Sequence, residues 1–208
     1  MTFAVVPAAG HSTRMGRPKL SLSLGDRTVL EHVVAALRAG GVEHVLVVVG
    51  PHVAELGPLA AAAGADVVAL AEPTPDMRAT VERGLDWIGR HLRPQPDDPW
   101  LLVPADHPVL DPAVVRQVVA AGTDARPIVV PVFEGRRGHP TRFAWCHAAG
   151  IRGLPADQGI NAFLRARAAE VHELPVANPG VLADLDTPED FGRLLAERIH
   201  HPLTNVSS

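Results

Sequence analysis

The sequence predicts an α/β protein built on a mostly parallel sheet, and three observations carry that prediction. Apolar segments rich in Val and Leu recur at 3–6, 45–49, 66–70, 100–104 and 128–132. Each is continuous rather than alternating, the pattern of strands covered on both faces. Helix-like amphipathic stretches separate them, and such alternation is what parallel strands joined by right-handed crossovers require.

Taken in order, the first run, Phe3-Ala4-Val5-Val6, leads into Pro7-Ala8-Ala9-Gly10-His11-Ser12-Thr13-Arg14-Met15-Gly16-Arg17-Pro18-Lys19. Small residues let backbone N–H groups approach anionic oxygens, and Arg14, Arg17 and Lys19 supply compensating charge, so this loop suits a polyphosphate. It is not a Walker A loop. Arg17 and Pro18 separate Gly16 from Lys19, and Leu20 stands where a hydroxyl would be needed. The dinucleotide fingerprint G-x-G-x-x-G is also absent, because His11 and Ser12 follow Gly10. Thr28-Val29-Leu30-Glu31 is a capping-box pattern that opens a helix ending at Gly40-Gly41.

Further helices are expected at 52–63, 77–90 and 111–121. Arg93 to Pro99 is a loop by composition, and Glu134 to Pro140 reads as a turn or mobile loop. Beyond it come helical patterns near 142–149 and 157–168, a strand around 170–176 and a short extended piece near 181–185. Thr187 as N-cap and Pro188 at the first helical position start a last helix. One domain over 1–199 is expected, with 200–208 a polar, frayed tail.

Composition narrows the function. The chain has 208 residues, 47% of them apolar and 20% charged, with a formal net charge of −4 and only 4% aromatic residues. A nucleic-acid binder would show a basic stripe with interleaved aromatics, so the phosphates handled are expected to belong to small molecules. No apolar run approaches the ~18 residues of a membrane span. Met1-Thr2 lacks the basic start of a signal peptide, and a cytoplasmic location is expected. Cys146 is the single cysteine, which excludes an intramolecular disulfide and is read as a small buried apolar residue.

Leu101 to Pro108 places Asp106 just past a buried strand, a hard oxygen ligand of the kind Mg2+ takes together with phosphate oxygens. Asp184-Leu185-Asp186 offers two more carboxylates that would share one face of an extended segment. No two of the eleven histidines stand in H-x-x-x-H or H-E-x-x-H spacing on a convincing helix, so His107 and His139 are assigned surface or hydrogen-bonding roles.

Together these stretches resemble the nucleotidyltransferases related to molybdenum cofactor cytidylyltransferase and guanylyltransferase. Pro7 to Lys19 matches that family's A-A/G-G-x-S-x-R-M-G-x-x-K signature, and Ala105-Asp106-His107-Pro108 its G-D-Q-P element. Gly135-Arg136-Arg137-Gly138-His139-Pro140 matches its R-G-H-P or R-G-N-P loop, and Asp184 to Asp190 its closing D-x-D-T-P-E-D.

The resemblance implies a single three-layer α/β/α domain of the nucleotide-diphospho-sugar transferase (GT-A-like) fold, binding a nucleoside triphosphate and Mg2+. It places Ala8, Ala9 and Gly10 at base and ribose, and Ser12, Thr13, Arg14, Met15 and Gly16 around the phosphates. Arg14 and Lys19 would act on the triphosphate as catalytic groups, with Asp106 and one or both of Asp184 and Asp186 on the metal. Gly50, Met77 and Thr80 fall where such enzymes close around nucleoside or acceptor. Ala8-Ala9-Gly10 resembles the cytidylyl branch and leans towards CTP, with molybdopterin as acceptor and a molybdoenzyme or accessory protein as partner. His107 for Gln, Ala105 for Gly, Arg78-Ala79-Thr80 in place of a Ser-rich stretch and Asp157-Gln158-Gly159 for D-R-G depart from the pattern. Other acceptors therefore stay open: GTP transfer to molybdopterin, a sugar phosphate, a methylerythritol phosphate or a phospholactate-like acid. A non-catalytic nucleotide-binding accessory protein is the alternative of a different class.

Overall fold

The computed structural model describes residues 1–10 and 18–200, with side chains up to residue 196. Strands β1 (Phe3–Ala8), β4 (His44–Val49), β5 (Asp66–Ala69), β6 (Pro99–Leu102), β7 (Ile128–Phe133), β9 (Thr141–Ala144) and β10 (Val171–Pro175) form one sheet, in the order β10-β7-β9-β6-β1-β4-β5. The two-residue strand β8 (Arg136–Arg137) pairs with β7, and β2 (Ser23–Leu24) pairs with β3 (Arg27–Thr28) in a separate ribbon. Pairing is parallel from β6 through β1 and β4 to β5 and between β7 and β10. It is antiparallel around β9 and β8.

Each central strand is apolar on both faces because both faces are covered. Ala4, Val6, Val45, Val47, Leu101 and Val129 point into a core shared with helices α1 (Val29–Ala39), α2 (Leu56–Ala62), α4 (Pro112–Ala120) and α7 (Pro188–His200). Their sequence neighbours Phe3, Val5, Leu46, Val48, Leu102 and Val130 point the other way, against α3 (Met77–His91), α5 (Ala148–Arg152) and α6 (Ile160–Ala166). The result is three layers, as expected. The predicted capping box is present, with the Glu31 N–H donating to Thr28 Oγ1 and the Thr28 N–H donating to Glu31 Oε2. Thr187 caps α7 through its Oγ1, which accepts from the Asp190 N–H.

Several local expectations are corrected. Thr141–Ala144 is strand β9 rather than the start of a helix, and helix α5 begins only at Ala148. The run is short and wholly buried, a pattern shared by a core strand and a core helix. Glu134 to Pro140 is the β7–β8 hairpin and its exit, with its turn at Glu134 and Gly135 in left-handed conformations. The helix expected over 52–63 is split into a 3-10 turn at Pro51–Val53 and α2. Residues 179–182 form a 3-10 turn rather than an extended piece. Cys146 is exposed, not buried. The predicted tail beyond residue 200 lies outside the described residues.

Candidate functional site

From β1 at the middle of the sheet the chain steps outward through β4 and β5, then returns to β6 on the other side of β1. The strand order therefore reverses between β1 and β6, and their carboxyl ends open a crevice of the kind in which α/β proteins bind ligands. Ala8 is buried at the end of β1, Ala9 half-buried and Gly10 exposed. Gly50, just past β4, closes on them. A Cβ at Gly50 would stand 2.9 Å from His52 Cε1 and 3.2 Å from Ala9 Cβ, so the close approach depends on the missing side chain. Ser12, Thr13, Arg14, Met15 and Gly16 lie outside the described residues.

Lys19 opens a 3-10 turn that buried Leu20 anchors in the core. Its Nζ donates to Asp106 Oδ2 at 2.7 Å, to the Leu185 carbonyl at 2.7 Å and to Asp186 Oδ1 at 3.1 Å. Three segments far apart in sequence thus meet on one ammonium. Packing explains the meeting: Leu185 is fully buried, and its N–H donates to the Asp106 carbonyl at 2.9 Å, fastening the late segment to the β6 exit. Burial alone would push the Lys19 amine down, but hydrogen bonding and charge from Asp106, then Asp186, outweigh it and hold it above its ordinary value. It carries its proton throughout the physiological range.

Asp184 does not join Asp186 on Lys19; its charge is felt instead at His107. Among the described residues no cluster of three or more His, Cys, Asp or Glu side chains is arranged to hold a metal. Asp106 and Asp186 nevertheless converge on one cation, the Lys19 ammonium, and an all-oxygen pair suits a hard divalent ion that takes its other ligands from phosphates and water.

At the start of α3, Asp76 caps the helix by accepting from the Ala79 N–H at 2.7 Å. Met77 is exposed there. Thr80 is buried, with its hydroxyl bonded to the Thr74 hydroxyl at 2.6 Å and to the Asp76 carbonyl. That hydroxyl ties the helix to the loop before it. Arg78 donates to Glu82 at 2.6 Å and to the Leu154 carbonyl at 3.2 Å.

His107 is buried and His139 half-buried beside it, their ring centroids 5.2 Å apart. His107 Nδ1 donates to the Ala183 carbonyl at 3.2 Å, since a carbonyl can only accept. Burial pushes His107 below its ordinary value against the pull of Asp106 and Asp184. Burial, then the neighbouring His107, pushes His139 down to about 4. For His107 the expected hydrogen-bonding role is seen and the surface role is not. Sequence reasoning missed the Leu185 carbonyl as a Lys19 partner; the apolar residue between two acids was its only signal.

The sequence model of the MobA-like NTP transferase domain matches residues 4–172. A phosphoenolpyruvate guanylyltransferase of Rubrobacter xylanophilus is 29% identical over 207 residues, covering 93% of each chain. A 2-C-methyl-D-erythritol 4-phosphate cytidylyltransferase of Escherichia coli is 35% identical over 162 residues, covering 73% of this chain and 64% of that one. Among solved structures, Rv0371c from Mycobacterium tuberculosis superposes with a TM-score of 0.75 at 28% identity, covering 94% of this chain and 97% of that one. The same protein has been solved as a complex with manganese. A 4-diphosphocytidyl-2C-methyl-D-erythritol synthase shares the fold, with a TM-score of 0.70 at 19% identity over 94% of this chain and 98% of that one.

Proposed function

The chain belongs to the MobA-like NTP transferase domain family and is a nucleotidyltransferase, and we propose that it moves CMP from CTP onto a phosphate monoester, molybdopterin first among the candidates. The observation that carries this reading is the Lys19 ammonium held between Asp106 and Asp186 at the switch point, beside the Ala8–Gly10 turn.

In the proposed reaction an oxygen of the acceptor phosphate forms a bond to the α-phosphorus, and the bond from that phosphorus to pyrophosphate breaks. The acceptor is largely dianionic at neutral pH, because the second pKa of a phosphate ester is about 6, so no general base is needed. Repulsion between two anions is the barrier. Arg14 and Lys19 oppose it with fixed positive charge, each contact worth about 2–4 kcal/mol in the transition state. Ala8, Ala9, Gly10 and Gly50 form the small-residue wall for base and ribose, and Met77, exposed at the start of α3, would close on the nucleoside. Ser12, Thr13, Met15 and Gly16 complete the phosphate loop. A Mg2+ ion held by Asp106 and Asp186, with Asp184 in reserve, would neutralise phosphate charge.

Preference for CTP rests on Ala9, the residue Gly50 packs against. A second reading, GTP as donor and a phosphorylated carboxylic acid as acceptor, is favoured by the phosphoenolpyruvate guanylyltransferase that matches over 93% of the chain. Thermal-shift measurements with CTP, GTP, ATP and UTP, each with and without Mg2+ or Mn2+, decide the donor. A nucleotide at 100 times its Kd stabilises the fold by about 2.7 kcal/mol. Pyrophosphate release with candidate acceptors then decides the second substrate. Metal-dependent stabilisation by GTP but not CTP would overturn the CTP assignment, and none with any nucleotide would overturn the donor reading altogether.

A further inference from the structure

Neither His107 nor His139 touches Lys19 or supplies charge to the reaction described above, yet both are built into the walls around it. His107 directly follows Asp106, and its Nδ1 donates to the carbonyl of Ala183, the residue before Asp184. The Leu102 carbonyl at the end of β6 acts on the His139 ring, whose Nδ1 is buried without a hydrogen-bond partner. The rings lie 5.2 Å apart with their planes tilted by 40°.

Main-chain bonds run alongside. The His139 N–H donates to the Val181 carbonyl at 2.8 Å, and Gly138 lies so close beneath Val181 that a Cβ would stand 2.2 Å from the same oxygen. Leu185 donates to the Asp106 carbonyl at 2.9 Å. The β6 exit, the hairpin exit and the 181–186 segment are thereby tied into one unit, and that unit carries both carboxylates of the Lys19 site.

His107 Nε2 and His139 Nδ1 are buried ring nitrogens without a hydrogen-bond partner. Burying such atoms costs free energy that two apolar side chains would avoid. The pair therefore contributes direction, through the anchored Nδ1–H of His107 and the His139 ring packed beside it, rather than net stability. Burial keeps both rings neutral, with one donor and one acceptor each.

We propose that His107 and His139 are positioning residues that set the placement of Asp106 relative to Asp186, and so hold the cation place between them. The inference rests on the nucleotidyltransferase reading of the site. It is tested with variants that keep or remove the polar group. His107→Asn retains an N–H near the Nδ1 position and His139→Gln keeps a polar side chain beside it, whereas His107→Leu and His139→Leu retain neither.

Crystal structures and steady-state pyrophosphate release are compared across the four variants. The Leu variants are expected to lose the joint contact of Lys19 with Asp106 and Asp186. Their kcat should fall about 10- to 100-fold, the scale of a 1 Å misplacement, while the nucleotide KM stays within about 2-fold. The Asn and Gln variants should keep the contact and stay within about 3-fold of the parent, a rescue that mere core packing would not produce. An intact Lys19 contact in a folded Leu variant would overturn the proposal, as would equal losses in the Leu and the amide variants. If one Leu variant does not fold, the other histidine supplies the same comparison. A parent protein that releases no pyrophosphate from any nucleotide would remove the transferase reading, while the crystal structures would still decide whether the pair places the carboxylates.

Discussion

Acid should destabilise this fold in a window that His139 defines. In the folded protein its imidazole is pushed down to about 4 from an ordinary 6.5, by burial and then by the neighbouring His107. The folded state therefore resists a proton that the unfolded chain accepts. The stability contributed by the neutral ring is complete above pH 6.5 and is lost as pH falls from there towards 4. Over the whole window the loss is about 3 kcal/mol, of which about 2 kcal/mol has gone by pH 5. Urea unfolding of the parent and of His139→Gln at pH 7.5 and pH 5.0 measures it, because glutamine is polar and of similar reach but does not titrate. The parent should lose about 2 kcal/mol more than the variant between the two conditions. His147, also lowered by burial, adds to the acid sensitivity of both proteins equally and cancels in the difference. Equal losses in parent and variant would refute the reasoning, and so would an NMR titration of the His139 ring with a midpoint near 6.5.

Lys19→Ala should reduce turnover by about 100-fold or more, since it removes a preorganised cation; steady-state rates near those of the parent would remove Lys19 from the catalytic machinery. Gly50→Val should raise the nucleotide KM by about 10-fold with little change in kcat, because the new side chain meets Ala9 rather than the reacting atoms. Gly84 packs so that a Cβ would stand 2.7 Å from Val5 Cγ1, and Gly84→Leu should cost about 1–3 kcal/mol or more in urea unfolding. Thr28→Ala removes the cap of α1 and should cost about 1 kcal/mol, read as a lowered Tm.

The central strands were legible because burial on both faces leaves an uninterrupted apolar signature, and Val5, Val47 and Leu101 carry it. The caps at Thr28 and Thr187 were legible because capping is local chemistry with fixed spacing. Strand β9 was not, since Thr141–Ala144 is too short to show a period and its place between β6 and β7 is decided by long-range pairing. Lys19, Asp106 and Asp186 could be named as site residues from motif and strand position, but their meeting depends on the buried anchor Leu185. The sequence puts Asp184 and Asp186 on one face of an extended strand, but residues 183–186 form no strand, and only the local path of the chain decides which carboxylate faces Lys19. The pairing of His107 with His139 has no sequence signal, because single histidines on two loops share no spacing.

The reversal of strand order also accounts for why this charge cluster lies where it does. Because β1 and β6 are adjacent and parallel, their exits emerge side by side, with Val5 opposite Leu102 and the Val103 N–H still bonded to the Val5 carbonyl at 3.1 Å. Asp106 is thus delivered next to the phosphate-loop strand by the sheet itself. Asp186 has no strand to carry it, and reaches the same point through the fully buried Leu185, whose N–H is bonded to the Asp106 carbonyl. One carboxylate is set by the rigid sheet and the other by a strap docked on it. The cluster should therefore yield first on the Asp186 side, whose carboxylate is 41% exposed against 21% for Asp106. Hence Leu185→Ala, which removes the anchor but no charged group, should weaken catalysis by freeing Asp186 while leaving the Lys19–Asp106 contact of 2.7 Å in place. A crystal structure of that variant with both contacts unchanged would show that the strap is held by something other than Leu185.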